Sequence, residues 1–120
     1  PARPAKPASA PHPNGPEAAA ADMKRLVVAA GVEAKLFASE PDLVNPCDMD
    51  VDHRGRVWIT EGANYRSTFQ KWGTLREGGD RIQILEDTNG DGKADKCTTF
   101  LDGLNCPTGF QFFKDGVLVM

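Results

Sequence analysis

An all-β chain built from repeated small sheets is what this sequence predicts, and three observations predict it. From Met49 onward, short apolar runs alternate with tight polar turns: Met49-Asp50-Val51, Arg56-Val57-Trp58-Ile59-Thr60, Arg81-Ile82-Gln83-Ile84-Leu85, Thr98-Thr99-Phe100-Leu101 and Phe110-Gln111-Phe112-Phe113. Runs of this length, rich in β-branched and aromatic residues and bounded by Gly, Asn and Asp, read as strands. Second, the stretch from Asn45-Pro46 through a turn ending in Gly55 to Val57-Trp58-Ile59 looks like a copy of Asn105-Cys106-Pro107 through a turn ending in Gly116 to Val117-Leu118-Val119, about sixty residues later. Third, four short strands at that period are the signature of radially stacked sheets, which makes the expected architecture a partial β-propeller, about one blade plus the start of a second.

Before the strands lie two other segments. Residues Pro1 to Pro16 are rich in Pro and Ala and hold almost nothing bulky and apolar. Such a composition cannot offset its own ordering entropy, so residues 1–16 are expected to be a disordered linker, and His12 within it a solvated side chain. Residues 17–120 form the folding unit. Asn14-Gly15-Pro16-Glu17 signals a helix start, Met23, Leu26, Val27 and Ala30 recur at helical spacing, and Gly31 suits a C-terminal cap, so a short α-helix over Glu17 to Ala30 is predicted. After Gly31 the period changes to two: Val32, Ala34, Leu36 and Ala38 alternate with the residues between them, which predicts a leading strand. The first residues Pro1-Ala2-Arg3-Pro4 and the last, Gly116 to Met120 in an apolar run, give the expectation of a fragment of a longer protein.

Composition narrows the function. The net charge is −3 and no basic stripe is visible, which argues against nucleic acid as a partner. No apolar run approaches the roughly 18 residues that cross a bilayer as a helix. Three cysteines, Cys47, Cys97 and Cys106, are too few for a disulfide framework and form no CxxC pair, so neither a zinc site nor an attached haem is expected here. They leave open one disulfide with a spare thiol, or three buried thiols.

The sharpest chemical signal is Asp87-Thr88-Asn89-Gly90-Asp91-Gly92-Lys93-Ala94-Asp95. Side-chain oxygens of Asp87, Asn89, Asp91 and Asp95 fall at positions one, three, five and nine of a loop, Gly92 sits where the chain must turn sharply, and the Lys93 carbonyl falls at position seven. A hard cation such as Ca²⁺ wants six to eight oxygens, and clustered carboxylates repel one another unless a cation neutralises them. The pattern departs from an EF-hand: position twelve is Thr98 rather than Glu, and a strand, not a helix, precedes it. A weak structural calcium loop, with affinity on the order of 10⁻⁴ to 10⁻³ M, is therefore expected, against the alternative of a plain polar turn. The remaining candidates are weaker. His53 in a hairpin turn has no evident partner for base catalysis; Glu61, Asn64 and Tyr65 follow a strand where a propeller presents residues to its mouth; Trp58 and Phe110 read as core; Asp80-Arg81 reads as a local ion pair. The polar stretch Gly62 to Gly79, with Tyr65, Phe69 and Trp72, is long enough to be functional.

Several of these runs together resemble the start of the planctomycete- and verrucomicrobia-type membrane-bound dehydrogenase domain. They are Gly31 to Pro41, Asn45-Pro46, Met49 to Asp52, Gly55 to Trp58, Glu61 with Tyr65, Arg81 to Asp87 and Leu104 to Gly109, covering about residues 22 to 120 in the family's order. The resemblance implies a propeller similar to the soluble sugar and sorbosone dehydrogenases, which use pyrroloquinoline quinone (PQQ), in an exported protein of the periplasm or cell surface. It implies a small sugar or alcohol as substrate, with electrons passing from quinone to a downstream cytochrome c module that carries c-type haem. The family's catalytic His and cofactor-binding Arg and Lys lie in later blades and map onto no residue here. Two other expectations stand beside this one: a non-catalytic extracellular propeller that binds carbohydrate or protein, and a metal-dependent lactone hydrolase.

Overall fold

A computed structural model describes residues 15–65 and 74–120. The linker reading, with His12, therefore falls on residues outside this range except at its last two positions, and so do Phe69 and Trp72.

The element order is α1 (Pro16–Met23), β1 (Pro46–Val51), β2 (Val57–Glu61), β3 (Asp80–Glu86), β4 (Lys96–Leu104), β5 (Phe110–Phe113) and β6 (Gly116–Val119). The first four strands form one antiparallel sheet in the order β1-β2-β3-β4, and the last two form a separate antiparallel hairpin. The chain is thus mostly β, as its alternating runs predict. Both hairpins anticipated from the repeat are present, with Val51 opposite Val57 in the first and Phe113 opposite Gly116 in the second. The residue before the leading proline is left-handed in each, Asn45 at φ 46° and Cys106 at φ 53°.

The core sits on the two central strands. Trp58, Ile82 and Ile84 project from one face of the sheet and pack with Phe110 of β5, flanked by Leu104, Phe112 and Val117. Trp58 meets Phe100 at 4.6 Å between ring centroids and Phe112 edge-on at 5.3 Å, so aromatic contacts lock the second hairpin onto the first sheet. Trp58 and Phe110 are core residues, as their sequence context indicates. The opposite face, with Val57, Ile59 and Leu85, lines an apolar groove together with Leu36, Ala38 and Leu43 of the N-terminal segment. Gln83 ties that segment down: its Nε2 donates to Asp42 O at 3.2 Å, and its Oε1 accepts from Thr99 Oγ1 at 3.0 Å.

Two expectations for the N-terminal segment are corrected. The helix stops at Met23, seven residues before Ala30. Pro16 at its first turn, Glu17 and the alanine run explain why it starts. It ends because nothing receives its apolar face: Leu26 is 58% and Val27 97% exposed, and Val27-Val28 is a β-branched pair that disfavours continuation. Gly31, at φ 82°, sits in a separate turn in which Val32 N donates to Ala29 O, and so caps no helix. Residues 32–39, predicted as a strand, are extended but join neither sheet. They form a strap over the end of the first sheet, fastened where Ala94 N donates to Phe37 O at 2.8 Å.

Candidate functional site

The chemistry-bearing residues collect at the two ends of β3. At its start, β2 ends in Glu61 and β3 opens on Asp80, and both side chains are buried. Glu61 Oε2 accepts from Arg81 Nε at 2.5 Å, and Oε1 accepts from Arg81 and from Val44 N at 2.9 Å. Asp80 Oδ1 accepts from Asn64 N at 3.0 Å and Oδ2 from Cys106 N at 2.8 Å. The anticipated Asp80–Arg81 ion pair is therefore replaced: neighbours on a strand point to opposite faces, so Arg81 pairs with Glu61, its cross-strand partner in the register. Asn64 serves as a clamp. Its Oδ1 accepts from Leu75 N and Arg76 N, while its Nδ2 donates to Arg76 O at 2.8 Å, which closes the base of the polar loop. Arg76 in turn forms a bidentate pair with Asp102 on β4, at 2.6 and 2.8 Å. Glu61 and Asn64 are loop ties here, and Tyr65 is half exposed. Among the described residues, Thr60 Oγ1 at this end is a buried side-chain oxygen without a partner.

At the other end, Glu86 pairs with Lys96 across the ladder (2.7 Å) and the acidic loop begins. Asp87 Oδ1 accepts from Gly90 N at 2.7 Å and Oδ2 from Gly92 N at 2.8 Å. Asn89 Oδ1 accepts from Asp91 N and Asp91 Oδ1 from Lys93 N, both at 2.9 Å. Asp95 accepts from Thr88 N and from Thr88 Oγ1. Gly90 and Gly92 are both left-handed (φ 78° and 87°), which these successive tight turns require. The Gly92 amide holds the Asp87 carboxyl below the usual carboxylate range against the opposing effect of burial, with the Gly90 amide helping. Lys35 of the strap leans on the loop: its Cδ lies 3.3 Å and its Nζ 4.0 Å from where a Cβ on Gly92 would stand.

The five residues read from sequence as ligands, Asp87, Asn89, Asp91, Lys93 and Asp95, thus lie in one loop, but the side-chain oxygens of Asp87, Asn89, Asp91 and Asp95 are turned toward the loop's own donors. Among the described residues no group of three or more His, Cys, Asp and Glu side chains is placed to hold a metal ion. The donor types and their order suit calcium; the arrangement, as it stands, is that of a loop satisfied by its own amides.

The hairpin turn Asp52–Gly55 holds His53, as its sequence predicts, and the group organising it is Asp52. Asp52 Oδ1 accepts from Arg54 N and Arg56 N; Oδ2 accepts from Arg56 Nε at 2.7 Å and Trp58 Nε1 at 3.0 Å. Burial acts to raise the Asp52 pKa, but the Trp58 and Arg56 hydrogen bonds overcome it and push the carboxyl far below its ordinary range. Sequence reading passed over Asp52; an Asp opening a turn, followed four and six residues later by Arg and Trp, was the available signal. The three thiols are free, with Cys47 and Cys97 exposed and Cys106 half-buried, so the alternative of three buried thiols is corrected.

Fold and sites together define a β-rich protein made of an antiparallel four-stranded meander with a second hairpin packed on its face and an acid-rich loop between its third and fourth strands. The chain belongs to the DUF7133 family, a domain of unknown function, whose family model matches residues 18–120. No curated protein and no solved structure matches it. No helix among the described residues is long and apolar enough to cross a membrane.

Proposed function

We propose that this chain is the opening of a β-propeller, one blade and the start of a second, in an exported quinoprotein-like dehydrogenase, and that its β3–β4 loop closes on a calcium ion that pins the connection. The observation carrying this reading is the packing of two sequence-similar hairpins, in which the face bearing Trp58 and Ile84 meets Phe110 and Phe112 of the next sheet. Consecutive antiparallel strands followed by a second sheet stacked face to face are the repeat unit of that architecture. In this reading the chain's own role is structural, and the substrate, a small sugar or alcohol, meets the completed ring.

Among the described residues Arg56, Arg76 and Arg81 are each committed to Asp52, Asp102 and Glu61, and a c-type haem needs a CxxCH that the sequence lacks. PQQ and haem, with the cytochrome c module as electron acceptor, belong in this proposal to later parts of the parent protein. Dye reduction by the full-length gene product, with and without added PQQ and across sugars and alcohols, tests the wider reading; a product with no quinone-dependent turnover refutes it.

For calcium, the support is the order of donors from Asp87 to Asp95 and the left-handed glycines that wrap them. Binding requires Asp95 to give up Thr88, which fits weak affinity. The hydrogen bonds that the loop's own amides and Thr88 make to its side-chain oxygens favour a second reading, a self-satisfied polar turn. Calorimetric titration of the chain with CaCl₂ separates the two. The calcium reading expects saturation near 10⁻⁴ to 10⁻³ M and at least tenfold weakening in Asp87→Asn. Absence of binding heat up to about 10 mM, above the weakest range of such sites, decides for the polar-turn reading.

A further inference from the structure

We infer that Cys47 and Cys106 form a redox-sensitive pair, whose disulfide staples the second sheet to the first. Each residue adjoins the proline that leads into one of the two repeated hairpins, Cys47 just after Pro46 and Cys106 just before Pro107. Cys47 falls at an irregularity of the β1–β2 ladder, between the paired residues Pro46 and Asp48, and so is not held in the pairing. Its Sγ instead lies over the turn after β2, only 2.7 Å from where a Cβ on Gly62 would stand. Glycine at 62 is what leaves room for the sulfur.

Cys106 is brought to the same turn by Asp80, whose carboxylate accepts from Cys106 N with one oxygen and from Asn64 N with the other. A second tie runs beside it: Asp48, next to Cys47, accepts from Phe110 N at 3.1 Å. Cys97 stands elsewhere, its Sγ 3.6 Å from Asp42 O. Burial raises the Cys47 pKa most, and the charges of Cys106 and Asp80 add to it, which places both groups in its electrostatic neighbourhood. A thiol held high supplies little thiolate at neutral pH, so exchange is slow there and accelerates as pH rises.

The chemistry balances with a disulfide oxidant such as oxidised glutathione. One cysteine thiolate attacks the glutathione disulfide and releases one glutathione. The second cysteine thiolate then attacks the mixed disulfide, releases another glutathione and leaves the protein S–S bond; the protons lost by the two thiols end on the two glutathiones.

The test is equilibration of the full chain in native buffer with oxidised glutathione, then alkylation, intact mass and non-reducing peptide mapping. The proposal expects loss of two hydrogens, a Cys47–Cys106 linked peptide, one alkylatable thiol at Cys97 and a melting temperature several degrees above that of the reduced chain. Cys97→Ser should form the same link, while Cys47→Ser and Cys106→Ser should not. Three alkylatable thiols after equilibration, a link that includes Cys97, or the same mixture of links in native buffer as in urea would each overturn it.

Discussion

At the Asp80 end of β3 two carboxylates, Glu61 and Asp80, are out of solvent, and each of their oxygens takes a hydrogen bond from a residue outside its own strand. At the Glu86 end the acids stand near water and turn back on amides and a hydroxyl of the same nine-residue loop. Burial makes the difference. A buried carboxylate without donors is too costly to keep, so the interior end recruits Arg81, Val44, Asn64 and Cys106 from four places in the chain. The exposed end faces no such demand. It is satisfied locally, and its remaining lone pairs are available to water or a cation. Acidic residues at one end of a strand thus knit distant segments together, while those at the other shape only their own turn.

The largest effect should come from breaking the buried end. Glu61→Ala leaves the Arg81 guanidinium and Val44 N without their acceptor in a partly dry site, and loss of one partner of a buried pair costs on the order of 3–5 kcal/mol. Urea unfolding at neutral pH should show the midpoint collapse, whereas Asp91→Ala in the exposed loop should move it little. Equal losses at the two ends would remove the contrast.

Acid should expose the same contrast as a slope. Asp102 is held at about 2 by its hydrogen bond from Arg76, aided by the Gly103 amide, and Asp52 lies lower still. Both fall below the ordinary value of 3.8 that an unfolded chain would show. A depressed carboxyl contributes stability that is complete above its unfolded pKa and is lost as pH falls through the folded one. Melting temperature should therefore be flat above about pH 5 and drop from about pH 4 through pH 2. Asp102→Asn should flatten that limb between 3.8 and about 2, and Asp52→Asn should flatten it further toward low pH. An acid limb unchanged in both variants would mean that these hydrogen bonds are not what holds the carboxyls down.

Thr60 tests the interior rule in the stabilising direction. Its hydroxyl is buried without a partner, although the carboxylates around it are satisfied. Thr60→Val keeps the shape and removes the unsatisfied group, so stability should rise by about 1 kcal/mol, read as a melting temperature a few degrees higher. A fall would show that the hydroxyl has a partner, such as a buried water.

The strands were legible because alternation and turn residues coincide, and β2 and β3 carry both a buried face and a Gly- or Asp-led boundary. The run Leu26-Val27-Val28 misled because apolar spacing says that a face could be buried, not that a surface exists to bury it; here none does, and Val27 stands in solvent. Residues 32–39 misled for the converse reason. Leu36 and Ala38 line the apolar groove, but so do their neighbours Lys35 and Phe37, and the segment joins no ladder, so it lies as a strap. The acidic loop was legible as a loop with oxygens in order. The buried end was not, because the pairing of Glu61 with Arg81 and of Asp80 with Cys106 depends on register and on the docking of the second hairpin, and neither is written in local spacing. Asp52 was missed because a turn-opening aspartate is common, and only the fold brings Trp58 Nε1 onto it.

Lys35 gives the smallest and most discriminating handle on the exposed end. Its side chain lies against Gly92, its ammonium pairs with Glu33 at 3.9 Å, and it is 60% exposed, so its field at the loop is weakened by that partner and by solvent. Lys35→Gln removes one positive charge without touching any of the five candidate oxygens. If calcium enters the loop, the variant should bind it about two- to threefold more tightly at low ionic strength, the scale of a single exposed charge interaction of roughly 0.5 kcal/mol, and the gain should fade as salt is added. If the loop is a self-satisfied polar turn and no metal enters, the variant should gain no calcium heat and its stability should be the same with and without calcium. The two outcomes differ in a thermal melt with calcium present, so one variant measured at two salt concentrations separates an acidic loop built for a cation from one that completes itself.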